Sequence, residues 1–248
     1  MAFHRDKLTP EESVHAGQIA ALSEWGDYPY KEDNAKNLGA ILLAIEEYFR
    51  RHGFATDPIQ PFMYEKADGN PVPAVEFSFA LPLGINHPQT GEPLLYCGRF
   101  DLLGVYNNTL FAVDEKTTTR LGPTWCRQWD LRSQFTGYCW AAKEYGYPVA
   151  GAIVRGMSIL KNDYGFAEAI TYRQDHDIQR WLETTYYYIT QMIQAWKDKT
   201  WIHNLDDSCN SYGGCSFSRE VCDKRNPEEW LDTNFVIRKW SPIEVHSL

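Results

Sequence analysis

The chain has 248 residues and a formal net charge of −9, and 44% of its residues are apolar, which suits one well-packed domain spanning residues 1–248. The negative charge argues against a protein that coats nucleic acid nonspecifically, although it is compatible with a local basic groove. Six unevenly placed cysteines do not make a disulfide scaffold, and no apolar run is long enough to span a membrane. Because no signal-peptide pattern is present either, we expect a soluble, cytoplasmic protein.

Two helices are predicted in the N-terminal region, which covers about residues 1–60. Pro10, followed by two glutamates, opens a helix that reaches about Trp25. A second, amphipathic helix is predicted over Asn34–His52, because apolar residues recur at helical spacing there: Leu38, Ile41, Leu42, Ile45, Tyr48 and Phe49. Residues 58–73 are rich in turn-forming residues and are expected to form a loop or a short strand.

Three β-strands are predicted after this loop. The first, Val75–Leu81, alternates strictly between an apolar face and a second face on which Glu76 is the sole charge. The other two, Leu95–Tyr106 and Thr109–Thr118, are rich in apolar and β-branched residues. They flank Asn107-Asn108, a pair that tolerates the positive φ of a tight turn, so the sequence predicts a β-hairpin.

Charged residues interrupt the apolar pattern of this hairpin. Asp114 and Lys116 share a face of its second strand, and Asp101 shares a face with Arg99 on its first strand. The hairpin would bring Asp101 towards Asp114 and Lys116, with Glu76 on a neighbouring antiparallel strand. Two carboxylates repel each other unless a cation lies between them, and hard divalent cations choose oxygen ligands. The sequence therefore predicts a metal site at the hairpin.

A helix and two further strands are predicted after the hairpin. The helix runs from about Trp125 to Tyr145, with Gln134 and Tyr138 four residues apart on one face. An apolar stripe lies beside that face: Phe135, Cys139 and Ala142. Val149–Arg155 is a buried strand that completes a βαβ-like crossover, and Phe166–Arg173 is a further strand. These elements predict a mixed sheet of four to five strands with helices on both sides.

The last long element is a helix predicted over Asp175–Trp201. Its inner face would be apolar: Ile178, Trp181, Leu182, Tyr188, Ile189, Met192 and Trp196. Three consecutive tyrosines, Tyr186, Tyr187 and Tyr188, could stack on nucleic-acid bases, but a core stripe is the favoured interpretation. The chain thus divides into N-terminal helices, an α/β core of about residues 72–173, and a helical, cysteine-bearing C-terminal part of residues 175–248.

Three short motifs occur in order on these elements: Gly98-x-x-Asp101, Asp114-x-Lys116 and Gln134-x-x-x-Tyr138. Their order, the thirteen-residue step from Asp101 to Asp114 and their strand–strand–helix context resemble the motif series of the RecB-type, phage-exonuclease-like branch of the PD-(D/E)XK nuclease superfamily. The resemblance implies an α/β fold with a restriction-endonuclease-like core, in which a mixed central β-sheet is flanked by helices.

The same resemblance implies metal-dependent hydrolysis of DNA phosphodiester bonds, by an exonuclease or single-strand-processing nuclease of phage or recombination-repair type. One or two Mg²⁺ or Mn²⁺ ions would be held by Asp101 and Asp114, helped by Glu76 and the main-chain carbonyl of Glu115. Lys116 would orient or help to deprotonate the attacking water and would stabilise the transition state. For Glu76, an ordinary glutamate on a half-exposed strand is an equally open interpretation.

DNA, as single strands or duplex ends, is the partner that the resemblance implies, and no membrane is involved. Gln134 and Tyr138 would contact the nucleic-acid backbone, with ordinary packing as the alternative. Four arginines are candidate phosphate contacts or simply solvated side chains: Arg99, Arg120, Arg127 and Arg132. A recombination or replication protein is a further candidate partner, in the cytoplasm of a bacterium or a phage-infected cell. The rival interpretation is a non-catalytic nucleic-acid-binding or assembly module, or an inactive fragment, that retains the nuclease fold.

The family's first motif is an early helix with a histidine, and Ala2-Phe3-His4 is similar to its tail. On that interpretation His4 belongs to the site and the chain begins inside the motif. A solvated terminal histidine is the alternative.

Three C-terminal cysteines, Cys209, Cys215 and Cys222, are similar to a set that binds a [4Fe–4S] cluster in some relatives, together with a fourth cysteine near the N-terminus. No cysteine precedes Cys97, so the fourth cluster ligand is missing. Zn²⁺ held by the three cysteines and His203, or three free thiols, are the alternatives. The remaining cysteines are expected to be packing residues: Cys97, Cys126 and Cys139.

Overall fold

A computed structural model of the chain describes residues 7–27, 37–53, 57–66, 69–160, 163–200, 207–210 and 214–237. His4 and His203 therefore lie outside the described residues. Those that are described belong to two compact units, one drawn from Met1–Ile85 and Pro93–Thr184 and the other from Asn86–Glu92 and Thr185–Leu248. Within the described residues, no helix is both long and apolar enough to cross a membrane.

Two N-terminal helices open the first unit, as predicted. Helix α1 spans Pro10–Trp25 and begins at a capping box, in which Thr9 and Glu12 each accept a hydrogen bond from the other's main-chain N–H, at 3.2 and 2.8 Å. Helix α2 spans Leu38–Arg51, and the side chain of Asn37 caps it by accepting a hydrogen bond from the N–H of Ala40 at 2.9 Å.

In the part of the chain that the structure describes, eight strands follow these helices in two sheets. They are β1 (Gln60–Pro61), β2 (Met63–Glu65), β3 (Pro71–Pro73), β4 (Val75–Asn86), β5 (Pro93–Tyr106), β6 (Thr109–Thr118), β7 (Val149–Ile159) and β8 (Tyr164–Tyr172). Six of them form the main sheet in the order β1-β5-β6-β7-β8, with β4 also paired to β5, and β2 pairs with β3. The predicted count of four to five strands was too low, because the two-residue strand β1, in the segment predicted as a loop or a short strand, also joins the main sheet.

The main sheet is mixed and flanked by helices, which confirms the predicted fold class. Strands β5 and β6 are antiparallel about Asn107 and Asn108, whose φ angles of 47° and 60° are those of the predicted tight turn. Strands β6 and β7 are parallel, as the βαβ crossover requires, and β8 returns antiparallel to β7.

The crossover contains two helices where one long helix was predicted. Helix α3 spans Pro123–Arg127 and helix α4 spans Ser133–Glu144. Between them Arg132 is extended, with a ψ angle of 120°, and the Trp129 carbonyl accepts a hydrogen bond from the buried guanidinium of Arg173 at 3.0 Å. The same carbonyl also accepts the N–H of Arg132 at 3.2 Å, so Arg173, which is distant in the sequence, adds a second bond that holds the segment between the two helices in place.

The core is formed largely by aromatic and branched side chains between helix α4 and the main sheet. Phe79, Phe100 and Phe135 are among its largest fully buried side chains. Gly98, the glycine of the Gly98-x-x-Asp101 motif, lies against the Phe79 ring, where any Cβ would overlap that ring. The predicted stripe of α4 is also fully buried: Phe135, Cys139 and Ala142.

Helix α5 (Asp175–Asp198) follows, and the prediction for its inner face is wrong in part. Ile178 is buried, and the ring of Trp181 packs edge-on against Tyr96. Tyr188 and Met192, however, are 62% and 64% exposed, and Tyr186 and Tyr187 are exposed as well. The periodic apolar pattern continues along the helix past the part of it that packs in the first unit, and periodicity alone does not reveal where that packing ends.

The second unit also contains short helical segments at its C-terminal side: α6 (Asp207–Asn210), a π-helix (Ser218–Cys222) and α7 (Pro227–Asn234). The rings of Phe217 and Phe235 stack with centroids 4.5 Å apart, and Lys224 lies over the ring of Trp230. These contacts link the π-helix to α7 within this unit.

Candidate functional site

Asp101 and Asp114 lie on adjacent strands at the same level of the sheet. The antiparallel register pairs Leu102 with Val113, so Asp101 and Asp114 are the next residues in line, and residues opposite each other in such a ladder share a face. The main-chain N–H of Glu115 donates a hydrogen bond to Oδ2 of Asp101 at 3.3 Å. The two motif aspartates are thus held side by side.

The Asp114 carboxylate is the most deeply buried charge of this group, with the residue only 1% exposed. Its Oδ2 atom forms an ion pair with the Nζ atom of Lys116, whose side chain is 33% exposed. Burial raises the pKa of Asp114, the ammonium of Lys116 opposes that rise, and the negative charge of Asp101 adds to it. The site therefore favours additional positive charge.

Helix α4 is bonded to both strands of the hairpin through its motif residues. Nε2 of Gln134 donates to Oδ1 of Asp114 and to the hydroxyl oxygen of Tyr138, both at 3.2 Å. The Tyr138 hydroxyl in turn donates to the main-chain carbonyl of Arg99 at 2.7 Å. Burial raises the pKa of Tyr138, which keeps the phenol protonated as a donor. Gln134 and Tyr138 fix the position of the buried carboxylate relative to strand β5.

Glu76 is paired with Arg99, whose guanidinium Nη1 atom lies 2.7 Å from its Oε2 atom. The backbone of Glu76 has a φ of +53°, which is uncommon for a residue other than glycine and interrupts the predicted regular alternation of β4. The carboxylate that the sequence assigned to the metal shell is thus engaged by a guanidinium. Its ligand role stays a prediction.

The other predicted phosphate contacts surround the hairpin on exposed segments. Arg120 lies in the loop after β6, on the wall of an open pocket of about 420 Å³ that it shares with Trp125 and Gln128. Arg127 ends helix α3 and Arg132 precedes helix α4, and all three arginines are exposed. Their exposure suits phosphate contacts and ordinary solvation equally.

A charged network behind the hairpin was not predicted. Arg155 of β7 is buried, and its Nη1 and Nε atoms donate hydrogen bonds to Asp57 at 2.8 Å and to Glu168 at 3.1 Å. Glu115 joins this network, because its Oε1 atom accepts a hydrogen bond from the Tyr48 hydroxyl at 2.6 Å and lies 3.8 Å from Arg155. Burial raises the pKa of Glu115 to about 7. A lone arginine inside the apolar run of β7 was the available signal for this network.

The candidate metal residues fit a partial ligand set. Among the described residues, no group of three or more histidine, cysteine or acidic side chains is arranged to hold a metal ion. Mg²⁺ is nevertheless commonly bound through one or two carboxylates together with substrate phosphates and water, and Asp101 and Asp114 supply two carboxylates on one face. The Glu115 carbonyl stays a predicted ligand.

The three C-terminal cysteines lie in the second unit. The N–H of Cys215 donates to the carbonyl of Cys209 at 2.9 Å, so these two residues are held in one turn, and Cys222 ends the π-helix. Of the remaining cysteines, Cys139 is buried and the other two are half-buried. A cluster or zinc site at the three thiols stays a prediction.

Comparisons with known proteins add little to this picture. No family model matches the chain, and no curated protein matches it. One solved structure that is similar to it, described as "Crystal structure of SSO0001", has 13% sequence identity and a TM-score of 0.32. The match covers 72% of this chain and 66% of that one, so the chain spans just under two thirds of the solved protein's length.

Proposed function

We propose that the protein is a divalent-metal-dependent nuclease that hydrolyses DNA phosphodiester bonds. The observation that supports this most is the buried Asp114 carboxylate, held between Lys116 and Gln134 with Asp101 beside it. These residues are the ones that the motif resemblance assigns to the site. An exonuclease or single-strand-processing nuclease of phage or recombination-repair type is the proposed kind.

Asp101 and Asp114 would hold Mg²⁺ or Mn²⁺. The two carboxylates face the same side, and Lys116 is the ammonium paired with Asp114. When bound, a divalent cation supplies a water of lowered pKa and positive charge next to the phosphate. The Gln134 amide, by bonding Oδ1 of Asp114, fixes the carboxylate rotamer and so pre-organises this ligand.

Lys116 and the neighbouring arginines would act on the phosphate. The Lys116 side chain is partly exposed, so its ammonium can approach a phosphate oxygen and stabilise the charge that grows on it as water attacks phosphorus. The bond from phosphorus to the leaving oxygen then breaks, and that oxygen takes up a proton. Arg99 and Arg120 are exposed cations near this hairpin and would bind flanking phosphates, Arg99 while also paired with Glu76, so a local positive surface is proposed on a chain whose net charge is −9.

The deciding experiment is a cleavage assay on end-labelled single-stranded and duplex DNA, with Mg²⁺, with Mn²⁺ and with a chelator. We expect metal-dependent products, and loss of cleavage without loss of folding or DNA binding in Asp114→Asn. Glu24→Gln, which neutralises an exposed carboxylate on helix α1, is the matched control and should cleave normally. Wild-type turnover in Asp114→Asn would contradict the proposal, and binding without cleavage under every metal condition would favour the non-catalytic module instead.

A further inference from the structure

A cavity of about 460 Å³ lies on the far side of the hairpin from Asp114, between helices α1 and α2 and the strands β6 and β7. Its walls are mainly apolar and include Gly17, Ala44, Ile45, Leu102 and Met157. Small residues on both helices leave this space open. At Gly17 the helices are close enough that a Cβ would lie 3.2 Å from Cγ2 of Ile45. The volume is in the range of small-molecule sites, which is roughly 300–1,000 Å³.

The cavity has one polar end, formed by Tyr48, His52, Asp57, Glu115 and Arg155. Three nitrogens of Arg155 are already directed at carboxylates: Nη1 and Nη2 at Asp57, and Nε at Glu168. The Tyr48 O–H is likewise used, since it donates to Glu115. The strongest donors at this end are therefore engaged by residues of the chain itself, and what the end can offer a ligand is chiefly acceptor atoms.

Glu115 is the acceptor that a ligand would reach. Its side chain is 33% accessible, compared with 12% for Asp57 and 4% for Arg155. Glu115 lines the cavity, and its carboxyl is bonded to Tyr48, which lines the same end. Two carboxyl groups, Asp57 and Glu115, line this end against one guanidinium, which favours a positively charged ligand group and opposes an anion.

We propose that this cavity binds a small amphipathic cation, an apolar molecule that carries one ammonium head group. The head group would pair with the accessible Glu115 carboxyl, and the apolar body would lie between helices α1 and α2 against Ala44, Ile45 and Met157. A charge-assisted hydrogen bond at the polar end and apolar burial along the body are the two contributions to affinity. The cavity lies on the face of the sheet opposite Asp114, and Glu115 is the residue that it shares with the nuclease proposal, there through its main-chain carbonyl.

The test uses three probes of equal length, hexylamine, hexanol and hexanoate, titrated into the full chain at pH 8 by isothermal calorimetry and by thermal unfolding. We expect hexylamine to bind and to raise Tm, hexanol to bind more weakly, and hexanoate not to bind. A cavity with an acidic end should bind hexylamine most tightly, hexanol more weakly and hexanoate least. Absence of hexylamine binding at millimolar concentration, or tighter binding of hexanoate, would overturn the proposal.

Two variants locate the binding. Glu115→Gln should weaken hexylamine about tenfold or more and leave hexanol nearly unchanged, because only the charged head group loses its partner. Ala44→Leu should weaken both amine and alcohol by filling the apolar part, and its thermal unfolding shows whether it is folded. Glu24→Gln removes an exposed carboxylate on helix α1 that does not line the cavity. It is the control and should bind hexylamine as the wild type does. Unchanged hexylamine affinity in both Glu115→Gln and Ala44→Leu would refute the site.

Discussion

Lys116 and Asp114, two residues apart on strand β6, form an ion pair that is buried at the carboxylate and open to solvent at the ammonium. The alternation of a strand puts both side chains on one face, so the D-x-K spacing by itself delivers this geometry. The pair thus reaches from the core to the surface, where a substrate would arrive.

Lys116→Ala should therefore reduce the cleavage rate more than the affinity for metal. The ammonium acts on charge that develops on the phosphate, for which a loss of about 10²–10³-fold in rate is typical, whereas both carboxylates stay in place. Single-turnover cleavage and a Mn²⁺ titration measure the two quantities separately. Lys66→Ala, which removes an exposed ammonium after strand β2, is the control. An equal loss of rate in both variants would show that Lys116 contributes only general charge.

Tyr138→Phe should destabilise the fold by about 1–3 kcal/mol, because the main-chain carbonyl of Arg99 loses the hydroxyl that donates a hydrogen bond to it. Urea unfolding measures that change. Gln134→Leu should be non-additive with it, since Gln134 donates to the Tyr138 hydroxyl as well as to Asp114. Additive free energies of unfolding would mean that the two side chains act separately.

His52→Gln should remove a loss of stability that occurs in mild acid. Burial first, and then the positive charge of Arg155, lower the pKa of His52 to about 4 from the usual 6.5. As the pH falls from 6.5 to 4 the unfolded chain takes up a proton that the folded chain resists, so stability falls by on the order of 3 kcal/mol. Urea unfolding at a series of pH values should show this slope in the wild type minus His52→Gln difference. A difference that is flat across this window would contradict it.

Glu115→Gln should reveal a pH dependence of stability opposite in sign to that of His52. Burial raises the pKa of Glu115 to about 7, above its usual 4.5, so the folded chain holds the extra proton in this window and stability is lost as the pH rises from 4.5 to 7. The variant should therefore gain stability relative to the wild type at pH 7 and above. Because His52 and Glu115 oppose each other, the wild type should be flatter in mild acid than either variant.

Iron and sulfide analysis of an anaerobic preparation tests the cysteine site. The described residues of the second unit contain three cysteines, and a [4Fe–4S] cluster needs four ligands. We expect a colourless protein, or weak zinc binding through three thiolates. Four irons per chain with a visible spectrum would contradict this and identify a fourth ligand.

The hairpin and its motif residues could be predicted because their signals are local. Asn107-Asn108 sets the turn, the turn sets the register, and the register aligns Asp101 with Asp114. The break between helices α3 and α4 was not predicted, and the bond from Arg173 to the Trp129 carbonyl that holds this segment spans 44 residues. The pairing of Arg155 with Asp57 spans 98 residues, and no periodicity within a window links such positions. The positive φ of Glu76 likewise has no local sequence signal, since neither glycine nor asparagine occupies that position.

Glu115 belongs to two neighbourhoods at once, through its N–H to Asp101 on one side and through its carboxyl to Tyr48 on the other. In a deep mutational scan scored by the proposed activity, substitutions at Tyr48 or Arg155 would consequently have effects similar to those at the motif residues, although both side chains line the cavity on the other face of the sheet. A scan scored by abundance would separate Tyr48 and Arg155 from Lys116, whose ammonium is partly exposed, since substitutions in the rear network would lower the amount of folded protein. Glu115, the middle residue of the D-x-K motif, thus connects the effects of substitutions on the two faces of the sheet.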